Sequence, residues 1–211
     1  MILRNRVKTY LLHEILKGRL KIGKTINLAK VSRQLNVSVT PVREALSQLE
    51  QARIIKAIPN RGFIVPELSL QEASDLYHTL AELEVMALEH SKFDADTIAQ
   101  LSRELLRLQQ AHTETTRLRH RVAFHRCLVK KCTNTILLQV LRDLESRILF
   151  YEQVFITDAT FYEKTDNQNE AIVRAIAEDN LPTAALILKM NWMSILDYVK
   201  NQIIKQQPVH F

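Results

Sequence analysis

The apolar positions of this chain fall into two regimes. Over the first 66 residues they form three short helical stripes and two short runs of branched residues; beyond that they repeat at helical spacing almost without interruption. Val7, Leu11 and Ile15 recur every fourth residue and mark one face of a first helix, which Gly18 is expected to stop. Leu28, Val31 and Leu35 mark a second helix with Asn36 at its C-terminal turn, and Val42, Ala45, Leu46 and Leu49 mark a third. Pro41 is tolerated in the first turn of that third helix, where an N–H would have no partner, and Ser38 or Thr40 can cap it. Residues 54–58 and 63–65 are rich in branched side chains and flank Pro59-Asn60-Arg61-Gly62, which predicts strand, turn, strand. Two helices joined by a tight turn and followed by a hairpin describe a winged helix-turn-helix.

After Pro66, Ser69 with Glu72 three residues on makes a capping-box pattern at the start of a long helix. Helices are predicted over residues 70–90, 95–112, 115–131, 134–157, 166–179 and 182–204, with breaks at Phe93-Asp94, Thr133-Asn134, Thr157-Asp158 and Asn180-Leu181-Pro182. The predicted fold is mainly α: a winged helix-turn-helix over residues 1–66 and an all-helical bundle over 67–211.

Charge separates the same two regions. Residues 1–66 hold 13 Lys and Arg against 3 Asp and Glu, while residues 67–211 hold 16 against 20. A concentrated positive field on a small unit favours a polyanion, and counterion release from DNA would supply much of the affinity. The three glycines, Gly18, Gly23 and Gly62, cannot write a dinucleotide-binding or phosphate-binding glycine loop. No apolar run is long enough for a membrane span and no signal-peptide pattern opens the chain. Cys127 and Cys132 read as free thiols on one helix, so a cytoplasmic protein is expected.

The segment Val37-Ser38-Val39-Thr40-Pro41-Val42-Arg43-Glu44-Ala45-Leu46, followed by Leu49-Glu50 and by Arg61-Gly62 through Val65, resembles the GntR family of regulators. Gly18 and Gly23 fall where that family has glycines between its first helices, so the resemblance covers residues 3 to 66. It implies a recognition helix whose first residues face base edges in the major groove, and a wing that reaches the minor groove. DNA contact is thereby expected at Ser38, Thr40, Arg43, Arg61 and Gly62. Where the family often has Arg, this chain has Val39, which suits a thymine methyl rather than a guanine. Val42, Leu46 and Leu49 are core; Glu44 reads as a partner of Arg43 or another local cation rather than a base reader; Lys30 and Arg33 are phosphate contacts or solvated cations.

The second region resembles the FCD domain of the FadR subgroup. The matching pieces are Leu76-Tyr77 with Leu83-Glu84, Ala123-Phe124-His125 with Asn134, and residues 171–185. Many members of that group hold a metal through one Asp and three His. By alignment those positions are Arg121, His125, Asn169 and Asn191, and Leu80 stands for an Arg. A guanidinium and two amides are a poor transition-metal set, so no metal and no cofactor is expected. The resemblance then implies a small-molecule effector, such as a carboxylate, anchored by Arg121 with His125, Asn169 and Asn191 around it; the alternative is a decayed pocket in which Arg121 pairs with a local acid. Tyr77, Tyr151, Phe155 and Trp192 line that pocket or simply pack the core or a dimer interface.

The expected function is that of a sequence-specific DNA-binding regulator, a repressor controlled by a small organic acid and working as a homodimer on double-stranded DNA. An enzyme is disfavoured by the lack of any paired carboxylate-and-His or nucleophile motif. A non-specific architectural DNA binder is disfavoured by the large acidic second region.

Overall fold

The computed structural model describes residues 3–16, 19–21, 23–67, 69–156 and 159–206, and of residues 16, 146, 153–155, 159, 160 and 206 the backbone alone. The chain divides into two compact units, residues 1–68 and 69–211. Gly18, the Thr157-Asp158 break and the side chain of Phe155 lie outside the described residues.

In the first unit α1 (Leu3–Leu16) and α2 (Leu28–Leu35) pack on α3 (Val39–Gln51), and β1 (Lys56–Ile58) pairs antiparallel with β2 (Gly62–Ile64). The apolar stripes close on one core: Val7, Leu11, Val31, Val42, Leu46, Leu49 and Val65 are all buried. Asn27 caps α2 by accepting the Lys30 N–H at 2.9 Å. Asn36 ends it at φ 51, a left-handed conformation that Asn tolerates, and donates its N–H to the Ser32 and Arg33 carbonyls. The Ser32 hydroxyl donates to the Val37 carbonyl at 2.5 Å and fastens the turn into α3.

The hairpin differs from expectation in two ways. Its first strand is shorter, because Ile54 and Ile55 are spent on the core, with both backbone N–H groups turned to the Leu49 carbonyl. It also has a third partner. The Gly23 N–H donates to Val65 O at 2.8 Å and the Ile26 N–H to Phe63 O at 2.7 Å, so the α1–α2 connection covers the outer edge of β2.

The second unit contains α4 (Leu70–Glu89), α5 (Ala95–Gln109), α6 (Glu114–Val129), α7 (Thr135–Phe155), α8 (Ala159–Ala177) and α9 (Leu181–Gln206). Side chains of Ser69, Asp94, Thr113 and Asn134 cap the first four. Helix α9 packs against α4, α8 and α7, with Ala184, Leu188, Ile195 and Val199 buried. Helix α8 begins at Ala159 rather than at 166. Phe161 and Thr165 are buried there, and Phe161 stacks on Tyr198 at 4.5 Å, so packing outweighs the low helix propensity of Thr and aromatic residues. Cys127 lies in α6 but Cys132 lies beyond its end; both are buried and free. Among the described residues no helix is long and apolar enough to cross a membrane. The fold is mainly α: a winged helix-turn-helix and a helical bundle.

Candidate nucleic-acid interface and effector pocket

Helix α3 turns Val42, Ala45, Leu46 and Leu49 inward and leaves Ser38, Val39, Thr40 and Arg43 exposed. Ser38 holds the N-cap position with extended backbone, yet its side chain makes no capping hydrogen bond. The hydroxyl and the free N–H groups of the first turn are thus left for a partner outside the helix, where the helix dipole favours an anion. Val39 is 40% exposed and presents an apolar surface at the head of the same turn.

At the hairpin tip Arg61 is exposed and its backbone N–H donates to the Ile58 carbonyl at 3.0 Å. Gly62 has φ +85, and an added Cβ would meet only Thr25 Cγ2, at 3.8 Å. The constraint there is conformational, since an L side chain disfavours that φ even where space exists. Glu50, near the end of α3, accepts the Ala57 N–H of β1 at 3.0 Å and joins recognition helix to wing.

Arg43, Arg61, Lys30 and Arg33 are exposed, and no described residue forms an ion pair with them; Glu44 does not pair with Arg43 as the sequence suggested. Within this unit the ion pairs among the described residues are those of Glu14, with Arg19 at 2.6 Å and His13 at 3.7 Å.

In the second unit α4, α6, α7 and α9 enclose a cavity of about 500 Å³, within the range of small-molecule sites. Leu80, Val122, Val129, Leu138, Leu141 and Ile148 form its apolar wall. Glu84, Arg121, His125, Glu152 and Trp192 form a polar end. All five are buried, so these charges must be compensated inside the protein. Arg121 Nη2 lies 3.1 Å from Glu152 Oε1, and its guanidinium lies over the Trp192 ring at 5.3 Å. His125 Nδ1 donates to the Glu84 carboxylate at 2.9 Å, and Trp192 Nε1 donates to the same carboxylate. Burial pushes the Glu152 carboxyl up, opposed by Arg121 and His125.

Arg121 and His125 therefore meet at one cavity, whereas Asn169 and Asn191 are not among its lining residues. Those two amides are buried against each other between α8 and α9, Asn191 Nδ2 donating to Asn169 Oδ1 at 3.4 Å and to Gln168 Oε1 at 3.1 Å. Trp192 lines the cavity. Tyr77 is fully buried and meets Tyr151 edge to face at 6.3 Å, as core packing. Glu84 and Glu152 are the site residues that sequence reasoning missed. Both interrupt apolar stripes at helical spacing, Glu84 between Leu80 and Leu88 and Glu152 four residues after Ile148.

The metal implied by the FCD resemblance does not fit this donor set. Arg121 is a cation held in an ion pair, and Asn169 and Asn191 bond to each other, so His125, through its Nε2, unpartnered among the described residues, is the one member of the set with a free ligating nitrogen. Among the described residues no group of three His, Cys, Asp or Glu is placed to hold a metal ion.

Residues 3–65 match the bacterial regulatory proteins of the gntR family, and residues 75–191 match the FCD domain. The HTH-type transcriptional repressor GlaR of Escherichia coli (strain K12) is 23% identical over 205 residues, which are 90% of this chain and 93% of GlaR. The HTH-type transcriptional regulator McbR of the same organism is 33% identical over 108 residues, 50% of this chain and 49% of McbR. The solved E. coli McbR/YncC structure superimposes with a TM-score of 0.75 at 24% identity, over 96% of this chain and 99% of that one. A GntR-type regulator from Rhodococcus sp. RHA1 superimposes with a TM-score of 0.74 at 20% identity, over 97% and 98%. At these identities the structural likeness is one of fold, while the two domain matches are of sequence. With both domains present in that order, the chain belongs to the GntR family of bacterial transcription regulators, in the group that carries an FCD domain.

Proposed function

We propose that this DNA-binding regulator is a cytoplasmic, homodimeric repressor whose grip on its operator is set by a small organic acid bound in the FCD cavity. The observation that carries it is the exposed row of Ser38, Thr40 and Arg43 on α3, joined through Glu50 to a wing that ends in Arg61 and Gly62. These residues belong to a strongly basic segment, and Arg43 and Arg61 form no ion pair with described residues. Ser38, Thr40 and Arg43 would contact the major groove, and Arg61 and Gly62 the minor groove. Two such units in a dimer would meet a roughly palindromic operator with half-sites about 34 Å apart, or a fraction or multiple of that set by the linker.

The repressor reading is supported by the printed name of GlaR. The effector reading is supported by the cavity and by Arg121 and His125 at its polar end; Asn169 and Asn191 support it only indirectly, by fixing α8 against α9. The poor donor set makes this regulation metal-independent. The regulator reading also accounts for the chain without catalysis.

Selection of random DNA by the purified protein, followed by gel shifts on the enriched sequence, tests the proposal. The expected result is a palindromic consensus bound at least about a thousandfold more tightly than random DNA. Uniform binding to all sequences would sink the operator-specific reading. Release of the consensus by an organic acid, unchanged by chelator, is expected if the effector reading holds.

A further inference from the structure

The buried charges at the polar end of the cavity are held unequally. Glu84 accepts hydrogen bonds from both His125 and Trp192, on two different helices. Glu152 stands 3.1 Å from Arg121, yet neither Arg121 Nη2 nor Glu152 Oε1 makes an aligned hydrogen bond, although both atoms are buried. A buried ion pair recovers its desolvation cost only through good geometry and added hydrogen bonds. A pair that lacks them is open to exchange with a carboxylate that aligns better and brings apolar contacts of its own. The cavity offers such contacts beside Arg121, from Val122, Leu138, Leu141 and Ile148.

Resting on the effector reading above, we infer that Glu152 is a resident counter-ion: it occupies Arg121 in the effector-free chain and is displaced from it by the carboxylate of an apolar acid. The internal carboxylate takes the role that a bound ligand would otherwise fill and keeps an empty receptor from carrying an orphaned guanidinium. Displacement removes one tie between α6 and α7, while the tie between Arg126 and Glu145 at the mouth of the cavity remains. Burial already pushes the Glu152 carboxyl up, so once Arg121 is taken it picks up a proton from water and stays buried as the neutral acid. The effector's apparent affinity is lowered by the fraction of molecules in which Glu152 holds the arginine.

Calorimetric titration of octanoate, octanol and octylamine into the full chain and into Glu152→Gln tests this. Octanoate is expected to bind the variant about tenfold more tightly than the wild type, because the internal competitor is gone. Octanol should bind both alike, and octylamine should bind neither more tightly than octanol. Octanoate binding that is unchanged or weaker in Glu152→Gln overturns the displacement and leaves the effector pocket standing. Octylamine binding that Glu152→Gln abolishes overturns it as well, since Glu152 would then be the anchor of a cationic ligand. Failure of octanoate to bind either protein overturns the acid-effector reading and this inference with it. Should Glu152→Gln not fold, Glu152→Asp retracts the carboxylate by a methylene and keeps its charge; octanoate should then bind more tightly by a smaller factor, and unchanged binding overturns the inference.

Discussion

Two arginines of the first unit and four of the second are used in opposite ways, although the first unit also pairs Arg19 with Glu14. In residues 1–68, Arg43 and Arg61 stand in solvent with no ion pair to a described residue. In residues 69–211, Arg117 is paired with Asp166, Arg121 with Glu152, Arg126 with Glu145 and Arg147 with Glu72. The side chain is the same; what differs is whether the chain supplies its partner. A cation without an internal partner is open at once to an anion from outside; one with a buried partner is tied to stability, and an outside anion reaches it only by displacing that partner. Sequence charge counts register the first kind and conceal the second, because a paired Arg and Glu cancel in the sum.

The largest expected effect is on the buried side of that contrast. Arg121→Ala leaves Glu152 without its cation in a dry site and should cost the second unit about 3–5 kcal/mol, read by urea denaturation. The cost has a pH signature. Burial raises the folded-state value of Glu152, and removing Arg121 raises it further. The unfolded value is common to both proteins and cancels, so the penalty grows as pH rises through the wild type's folded-state value, which lies above the ordinary Glu value of about 4.3, and is smallest below it. A penalty that shrinks as pH rises would contradict the assignment of Glu152 as the orphaned group.

Arg43→Ala tests the exposed side. It should weaken binding to the selected operator by about 1–3 kcal/mol in a gel shift and leave the melting midpoint unmoved. A drop in stability without a change in DNA affinity would make Arg43 structural and erase the contrast. Arg126→Ala sharpens the boundary between the two kinds. Its pair with Glu145 is bidentate, at 2.6 and 2.7 Å, but the Arg126 side chain is 64% exposed. Solvent screening should hold its cost below about 1 kcal/mol, well short of that of Arg121.

The smallest effect concerns a helix cap. Hydrogen bonds from the Thr97 hydroxyl and backbone N–H hold the exposed Asp94 carboxyl down at about 2. Its contribution is complete above the unfolded Asp value of about 3.9 and is lost as pH falls through the folded one. The gap in melting midpoint between wild type and Asp94→Ala should close as pH is lowered from 4 towards 2.

Most of the winged unit was legible because each of its devices is local. Three apolar stripes at helical spacing, Asn36 at a left-handed turn and Gly62 at positive φ each act within a few residues. The edge pairing of Gly23 and Ile26 with β2 was not legible, since it joins segments far apart in sequence through backbone atoms that carry no side-chain signature. In the bundle the helices were visible from their periodicity and caps. The start of α8 was not, because it depends on Phe161 finding Tyr198 on α9. The cavity was half legible. Arg121 and His125 came from motif positions, whereas Glu84 and Glu152 needed a different clue, a carboxylate set into an apolar stripe, which signals a buried partner without naming it. Asn169 and Asn191 came from the same motif and pack away from the cavity lining.

The Glu50–Ala57 hydrogen bond has its own meaning for the operator. Because one carboxylate clamps the far end of α3 to the first strand of the wing, helix and wing travel as a single caliper with a fixed span. Such a tool does not stretch to fit. On the proposed function, an operator that shifted its two contact points by a base pair within one half-site would be refused rather than accommodated, and tolerance of spacing would have to come from the junction between half-sites, outside the clamp.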